Sequence, residues 1–146
     1  MDLRLDKTKK IEIETISKIY KEEFSKPPYN ENWTLKKARN KMNFFYKFYD
    51  LYTIKIERKI IGFICINQNF MCPGQVAFGE EFAIKQEFQN KGIGTYVLKE
   101  IFKIYEKRGY QRFMGIADTK ARAMNLYKKL KIFPSKKDIL IERSLK

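Results

Sequence analysis

The stretch with the clearest chemical capacity is Gln89-Asn90-Lys91-Gly92-Ile93-Gly94-Thr95. It follows the apolar run Phe82-Ala83-Ile84 and opens a pattern in which Ile93, Val97, Ile101 and Tyr105 recur every four residues, with Leu98 and Phe102 beside them. That spacing predicts one face of an amphipathic helix. The order is therefore strand, glycine-bearing turn, helix. Glycines at such a junction let the backbone approach a ligand closely. The first N–H groups of the helix lack intrahelical partners, and the helix dipole adds partial positive charge there. Together these features make a cradle for phosphate. Val97 stands where a dinucleotide fingerprint would carry its third glycine, and no Gly-Lys-Ser/Thr follows as in a P-loop.

With Ile84 five residues ahead of it, Gln89-x-x-Gly92-x-Gly94 resembles the acetyl-CoA-binding signature of the GNAT family of N-acetyltransferases, which reads Arg/Gln-x-x-Gly-x-Gly/Ala. A second motif follows in Ala123-Met124-Asn125-Leu126-Tyr127-Lys128-Lys129-Leu130. It is similar to the family segment Asn-x-x-Ala-x-x-Leu-Tyr and its trailing Gly-Phe pair. Ala123, Leu126 and Tyr127 match, whereas Lys120 replaces the Asn and Lys131-Ile132 replaces the Gly-Phe. The resemblance runs from about Glu80 to Phe133, with a weaker echo in the first eighty residues.

The resemblance implies acetyl transfer from a thioester to a primary amine of a small molecule, peptide or protein, with acetyl-CoA as co-substrate and no metal. It places Phe82, Ala83, Ile84, Gln89, Asn90, Lys91, Gly92, Ile93, Gly94, Thr95, Lys120 and Tyr127 along coenzyme A. The turn would hold the pyrophosphate, the Ile84 N–H the acetyl carbonyl, and Lys120 a phosphate. The leaving thiolate needs a proton. Tyr127 matches the family's tyrosine acid, and a phenol that titrates near ~10 stays neutral at working pH. Its other reading is a core tyrosine. The incoming amine arrives as ammonium and needs a base. Glu80 and Glu81 are the only acids in the strand leading to Ile84. Alternation along a strand sends only one of them into the site, and Glu81 holds the family's favoured position. The loop from Pro27 to Trp33 should shape the acceptor side, with Tyr29 and Trp33 as an aromatic wall or as a staple between two helices.

The totals bound these expectations. The chain has 146 residues, 44% of them apolar and 15% aromatic, which suits a single domain (1–146) with a real core. There is no histidine, so Ser-His and Cys-His nucleophilic pairs and His-ligated metals are excluded. Two cysteines, Cys65 and Cys72, make no disulfide framework. No apolar run is long enough to cross a bilayer and no signal-peptide core appears, so a cytoplasmic protein without membrane contact is expected. Net charge is +14, of which +4 lies before Lys85 and +10 from Lys85 onward. The excess sits in the half that carries the glycine turn and would steer a polyanion there. Coenzyme A meets that description. RNA meets it as well, although no RNP-type aromatic strand is present. The alternatives are therefore a basic RNA-binding protein or a catalytically silent CoA-binding module. A polycationic acceptor would need local acids, which Glu12, Glu14, Glu22 and Glu23 could supply. A homodimer is allowed.

The elements that must position these residues follow from the pattern. A short strand over residues 1–5 leads to a helix marked by Ile16, Ile19, Tyr20 and Phe24, with Ile11 and Ile13 either extending it or lying in a strand. Pro27-Pro28 breaks the chain. Thr34 caps a second helix whose apolar face is Ala38, Met42, Phe45 and Phe48. Strands are expected over 52–57, 60–67 and 76–85. The glycine turn and its helix follow, stopped at Arg108-Gly109. A strand over 111–117, a helix capped by Asp118 or Thr119, and a closing strand over 138–145 complete the order. The resemblance implies an α/β fold with a mostly antiparallel sheet, about four flanking helices, and one splayed parallel pair formed by strands 76–85 and 111–117.

Overall fold

The most continuously apolar stretch of the chain becomes the middle of a five-stranded sheet in the computed structural model, which describes residues 2–146. Met1, assigned above to the leading strand, lies outside the described residues. The sheet order is β1 (Leu3–Lys7), β2 (Asp50–Ile56), β3 (Lys59–Phe70), β4 (Val76–Ile84), β5 (Arg112–Gly115). The first three pairings are antiparallel and β4–β5 is parallel. β3 is buried without interruption from Ile61 to Asn67 because both faces are covered.

One face carries α1 (Ile13–Phe24) and α2 (Leu35–Phe48). Ile16, Ile19, Tyr20, Ala38, Met42 and Phe45 pack there on Leu51, Phe63, Cys65 and Ala83. The opposite face carries α3 (Ile93–Lys107), whose Ile93, Val97, Leu98, Ile101 and Tyr105 meet Tyr52, Ile54, Ile64 and Ile66. Thr34 caps α2 by accepting from the Lys37 N–H at 3.2 Å. α3 ends at a left-handed Gly109 (φ +86°), where the Tyr110 N–H reaches back to the Tyr105 carbonyl. A mixed α/β fold with a mostly antiparallel sheet and one parallel pair is thus present, with four α-helices among the described residues. Among the described residues no helix is long and apolar enough to cross a membrane.

One open reading is settled and three expectations are corrected. Ile13 begins α1, while Ile11 sits in a 3-10 turn and is 86% exposed. Phe48 is not on the buried face of α2 but exposed, its ring tilted 46° to that of Phe44. The last helix, α4 (Ala123–Lys129), starts later than a cap at Asp118 or Thr119 requires. Asp118 Oδ1 instead accepts from the Lys120 N–H at 2.7 Å, closing its own turn two residues on. The closing strand over 138–145 does not form. Its Ile139, Ile141 and Leu145 are exposed, because alternation alone makes no strand without a ladder partner. β5 is correspondingly short.

A polar clamp ties the sheet to the far end of α3. Asp50 accepts from the Tyr105 hydroxyl (2.6 Å), Arg108 Nη1 (2.8 Å) and Lys7 Nζ (3.2 Å). Burial pushes the Asp50 carboxyl up, but these hydrogen bonds and the lysine charge outweigh it and hold the group below its ordinary 3.8. A depressed carboxyl contributes stability above its unfolded value and loses it as pH falls through the folded one. Asp50→Asn should therefore cost about 1–3 kcal/mol at neutral pH, and the deficit should shrink below about pH 4. Urea unfolding across that range measures it, and a deficit independent of pH would contradict the ionic clamp.

Candidate active site

β4 and β5 pair only from Val76↔Arg112 to Gly79↔Gly115. β4 then continues to Ile84 with β3 as its one sheet partner among the described residues. Packing is tight where the strands meet, since a Cβ on Gly79 would lie 3.0 Å from the Phe113 ring. Beyond this last pair a cavity of about 840 Å³ opens. Its walls are Phe82, Ala83 and Ile84 of β4, the turn 89–95 leading into α3, and residues 120–129 around α4. Pro27, Pro28 and Tyr29 close the remaining side.

The glycine turn has the form the sequence predicts. Gly92 caps α3 in a left-handed conformation (φ +80°), and a Cβ there would meet nothing within 4 Å. Gly94 matters for a different reason, because its Cβ would lie 2.7 Å from the end of the Leu126 side chain of α4, which would have to shift. Among the described residues the N–H groups from Asn90 to Thr95 have no hydrogen-bond partner, whereas the Tyr96 N–H already reaches the Gly92 carbonyl. Gln89 Nε2 donates to the Ile84 carbonyl (2.7 Å) and to Glu23 of α1 (3.2 Å), so one side chain fastens the turn to both strand and helix. Lys120, Arg122 and Lys129 face the same cavity and have no ion-pair partner among the described residues. Unpaired N–H donors, open space above Gly92 and free cations fit the phosphates of a coenzyme A.

The candidate residues divide by position. Phe82, Ala83, Ile84, Gln89, Asn90, Gly92, Gly94, Thr95, Lys120, Tyr127 and Tyr29 line the cavity. Ile93 is buried in the core, and Lys91 stands over the Phe88 ring outside the lining. Trp33 meets the ring of Tyr20 edge-on at 4.5 Å and donates to Glu31, so it packs between the helices rather than on the cavity. Tyr127 reaches the cavity from α4, and its hydroxyl is neither hydrogen-bonded to the described residues nor sealed from solvent. Burial, with Tyr29 and Glu81 nearby, pushes this phenol up to about 12.

The two glutamates do not lie on opposite faces. A β-bulge falls between Cys65↔Glu81 and Ile66↔Gly79, leaving Glu80 as the extra residue. The bulge interrupts alternation, and both carboxyls turn toward the α1–α2 face. Glu80 accepts from Asn67 Nδ2 at 3.0 Å. Glu81 accepts from the Tyr20 hydroxyl at 2.9 Å and has Lys41 Nζ at 3.8 Å. Burial pushes Glu81 up, Tyr20 and Lys41 pull it down, and it settles at about 7. Its charge also bears on Tyr29 and Tyr127 at the cavity wall.

Sequence reasoning missed Tyr20, Lys41, Arg122 and Lys129. The last two lie on the helix that carries Tyr127 or cap it, and their adjacency in sequence to the Ala123–Leu130 motif was the available signal. Among the described residues no group of three or more histidine, cysteine or acidic side chains is placed to hold a metal.

The sequence matches no curated protein. The fold is that of several solved structures. A possible acetyltransferase from Clostridium difficile 630 superposes with a TM-score of 0.81 at 10% identity, covering 100% of both chains. An aminoglycoside acetyltransferase from an uncultured soil metagenomic sample, in complex with trehalose, gives 0.72 at 14% identity, over 99% of this chain and 97% of that one. The aminoglycoside N-acetyltransferase AAC(6')-Iy in complex with CoA gives 0.75 at 11% identity, over 97% and 94%. The model of the acetyltransferase (GNAT) family matches residues 13–131. With its sheet parted over a glycine-capped helix and most of its length matched by that model, this chain belongs to the GNAT family of acetyltransferases.

Proposed function

We propose that this protein, as a single domain, transfers an acetyl group from acetyl-CoA to a primary amine of a small cationic molecule, with a peptide or protein amine as the second acceptor class. The observation that carries the reading is one cavity whose lining brings together the glycine turn with its unpartnered N–H groups, the free cations Lys120, Arg122 and Lys129, and Tyr127. The glycine turn holds the pyrophosphate, and Lys120, Arg122 and Lys129 hold the remaining phosphate charge. When bound, coenzyme A supplies an acetyl thioester. The Ile84 N–H orients the acetyl oxygen. Glu81 takes one proton from the ammonium, and the neutral amine forms the C–N bond as the C–S bond breaks. Tyr127 gives its proton to the departing sulfur. A second nitrogen proton leaves as the amide forms and restores the phenol, and Glu81 returns its proton to solvent.

The acceptor class rests on charge. Asp118, Glu81 and Glu31 all bear on Tyr29 at the cavity wall. Their negative charge beside Tyr29, which we read as the acceptor side, supports a cationic acceptor despite the net charge of +14. A structural relative in complex with sisomicin, itself an aminoglycoside acetyltransferase, is in keeping with an acceptor carrying several amines. Thermal shift with acetyl-CoA, followed by turnover on a panel of polyamines, aminoglycosides and lysine peptides, tests the whole reading. Strong stabilisation by acetyl-CoA is expected. Stabilisation by RNA alone, with a steep salt dependence, would replace this reading with nucleic-acid binding.

Three substitutions separate the parts. Gly92→Val forces a left-handed backbone on a branched residue, costing the fold about 1–2 kcal/mol. It also fills the space above the turn, so CoA affinity by calorimetry should drop tenfold or more (~1.4 kcal/mol). Unchanged affinity in the folded variant would put the cradle elsewhere. Tyr127→Phe should lower kcat by about 10²–10⁴-fold while Tm and acetyl-CoA affinity barely move. A destabilised but fully active variant would show a packing tyrosine instead. Glu81 at about 7 must be ionised to accept a proton, so kcat/KM should rise through that pH and level off above it. Glu81→Gln should abolish this limb and reduce the alkaline plateau by about 10²-fold or more; a limb surviving the substitution assigns it to another group.

A further inference from the structure

The hydroxyl of Tyr20 sits 2.9 Å from Glu81 Oε1, although 61 residues of chain separate them. Tyr20 is 1% exposed and its ring cannot swing. Phe24 lies at 4.8 Å on one side, Phe63 at 5.8 Å on another, and Trp33 closes edge-on at 4.5 Å. Burial and the neighbouring Glu81 charge push the phenol far above its ordinary range, so it remains a donor at every working pH. Lys41 approaches the same oxygen at 3.8 Å, itself held over the Trp33 and Phe45 rings. Glu81 Oε2 has no partner among the described residues and is not sealed from solvent.

Resting on the reading of Glu81 as the base, we propose that Tyr20 is a positioning residue for the transfer: with Lys41 it holds Oε1 of Glu81 and leaves Oε2 as the oxygen that receives the amine proton. A glutamate has three rotatable bonds and two equivalent oxygens. A fixed donor removes that freedom and makes one oxygen the acceptor of the reaction. The donor also favours the ionised carboxylate, which opposes the cost of burying it. The other groups that face Glu81 act differently. Glu31 and Glu80 repel its charge, Tyr29 and Tyr127 feel its charge and line the cavity, which Glu81 itself does not, and Cys65 opposite it on β3 is kept a thiol by burial. Tyr20 is the one neutral donor bonded to it among the described residues.

The titration of Glu81 reads this directly and needs no acceptor. In protein carrying ¹³C-labelled glutamate, the Glu81 carboxyl signal is assigned by its loss in Glu81→Gln and followed with pH in the wild type, in Tyr20→Phe and in Lys41→Met. Losing a hydrogen bond to a charged group should raise the midpoint by about one to two pH units in Tyr20→Phe. Lys41→Met should move it the same way by less. On an amine that the wild type acetylates, the acid limb of kcat/KM should shift by the same amount in Tyr20→Phe, with CoA affinity by calorimetry unchanged. An unmoved midpoint in folded Tyr20→Phe overturns the positioning role and leaves the base reading intact. Should Tyr20→Phe fail to fold, an unmoved midpoint in Lys41→Met overturns the shared-oxygen geometry. Full turnover by Glu81→Gln overturns both the proposal and the reading beneath it.

Discussion

Everything at the site depends on β4 losing its neighbour. A strand inside a sheet satisfies its backbone on both sides, and leaving one side open is costly unless something else fills the gap. Here the parallel ladder with β5 stops at Gly79↔Gly115, and the rest of β4 runs on beside β3 alone. The opening is kept because other elements wedge it. Leu126 of α4 abuts Gly94 of α3, and the Gln89 side chain ties the end of β4 to α1. The bulge at Glu80 falls just past the last parallel pair and re-aims the next carboxyl toward α1.

Charge follows the same division. Lys120, Arg122 and Lys129, without ion-pair partners among the described residues, line the cavity where α3 begins and α4 packs, whereas Glu81 and Glu80 are held on the α1–α2 side by hydrogen bonds to Tyr20 and Asn67. A net charge of +14 therefore says little about what the acceptor side attracts. A bulk excess of lysine attracts polyanions over the Debye length of about 8–10 Å, while a buried carboxylate acts at contact range, where screening is weak.

The sequence exposed the glycine turn and α3 because a 15-residue helix with a four-residue apolar repeat has no competing reading. It exposed the central strands for a similar reason, since an uninterrupted apolar run between turn signals is hard to place elsewhere. It misplaced residues 138–145 because strand alternation is a statement about a partner that a single segment does not contain. The bulge at Glu80 was hidden, since two adjacent glutamates after a glycine read as ordinary alternation. Tyr20 was hidden more deeply. On α1 it occupies an apolar position and looks like core, and its ring is core; only the packing of α1 across the sheet brings its hydroxyl to Glu81.

The buried glutamate gives the molecule a second property. A carboxyl at 4.5 in the unfolded chain and about 7 in the folded one binds a proton as the chain folds at any pH between those values. Its contribution to stability is full below the lower value and is lost as pH rises through the upper one. Asp50 has the opposite sign, losing its contribution on acidification below 3.8. These two groups thus favour the folded state most in mildly acidic solution, whereas the chemistry proposed for Glu81 requires it ionised, at and above neutrality. The enzyme would work on the descending side of this proton linkage, where part of its folding energy is held as an unprotonated, poorly solvated base.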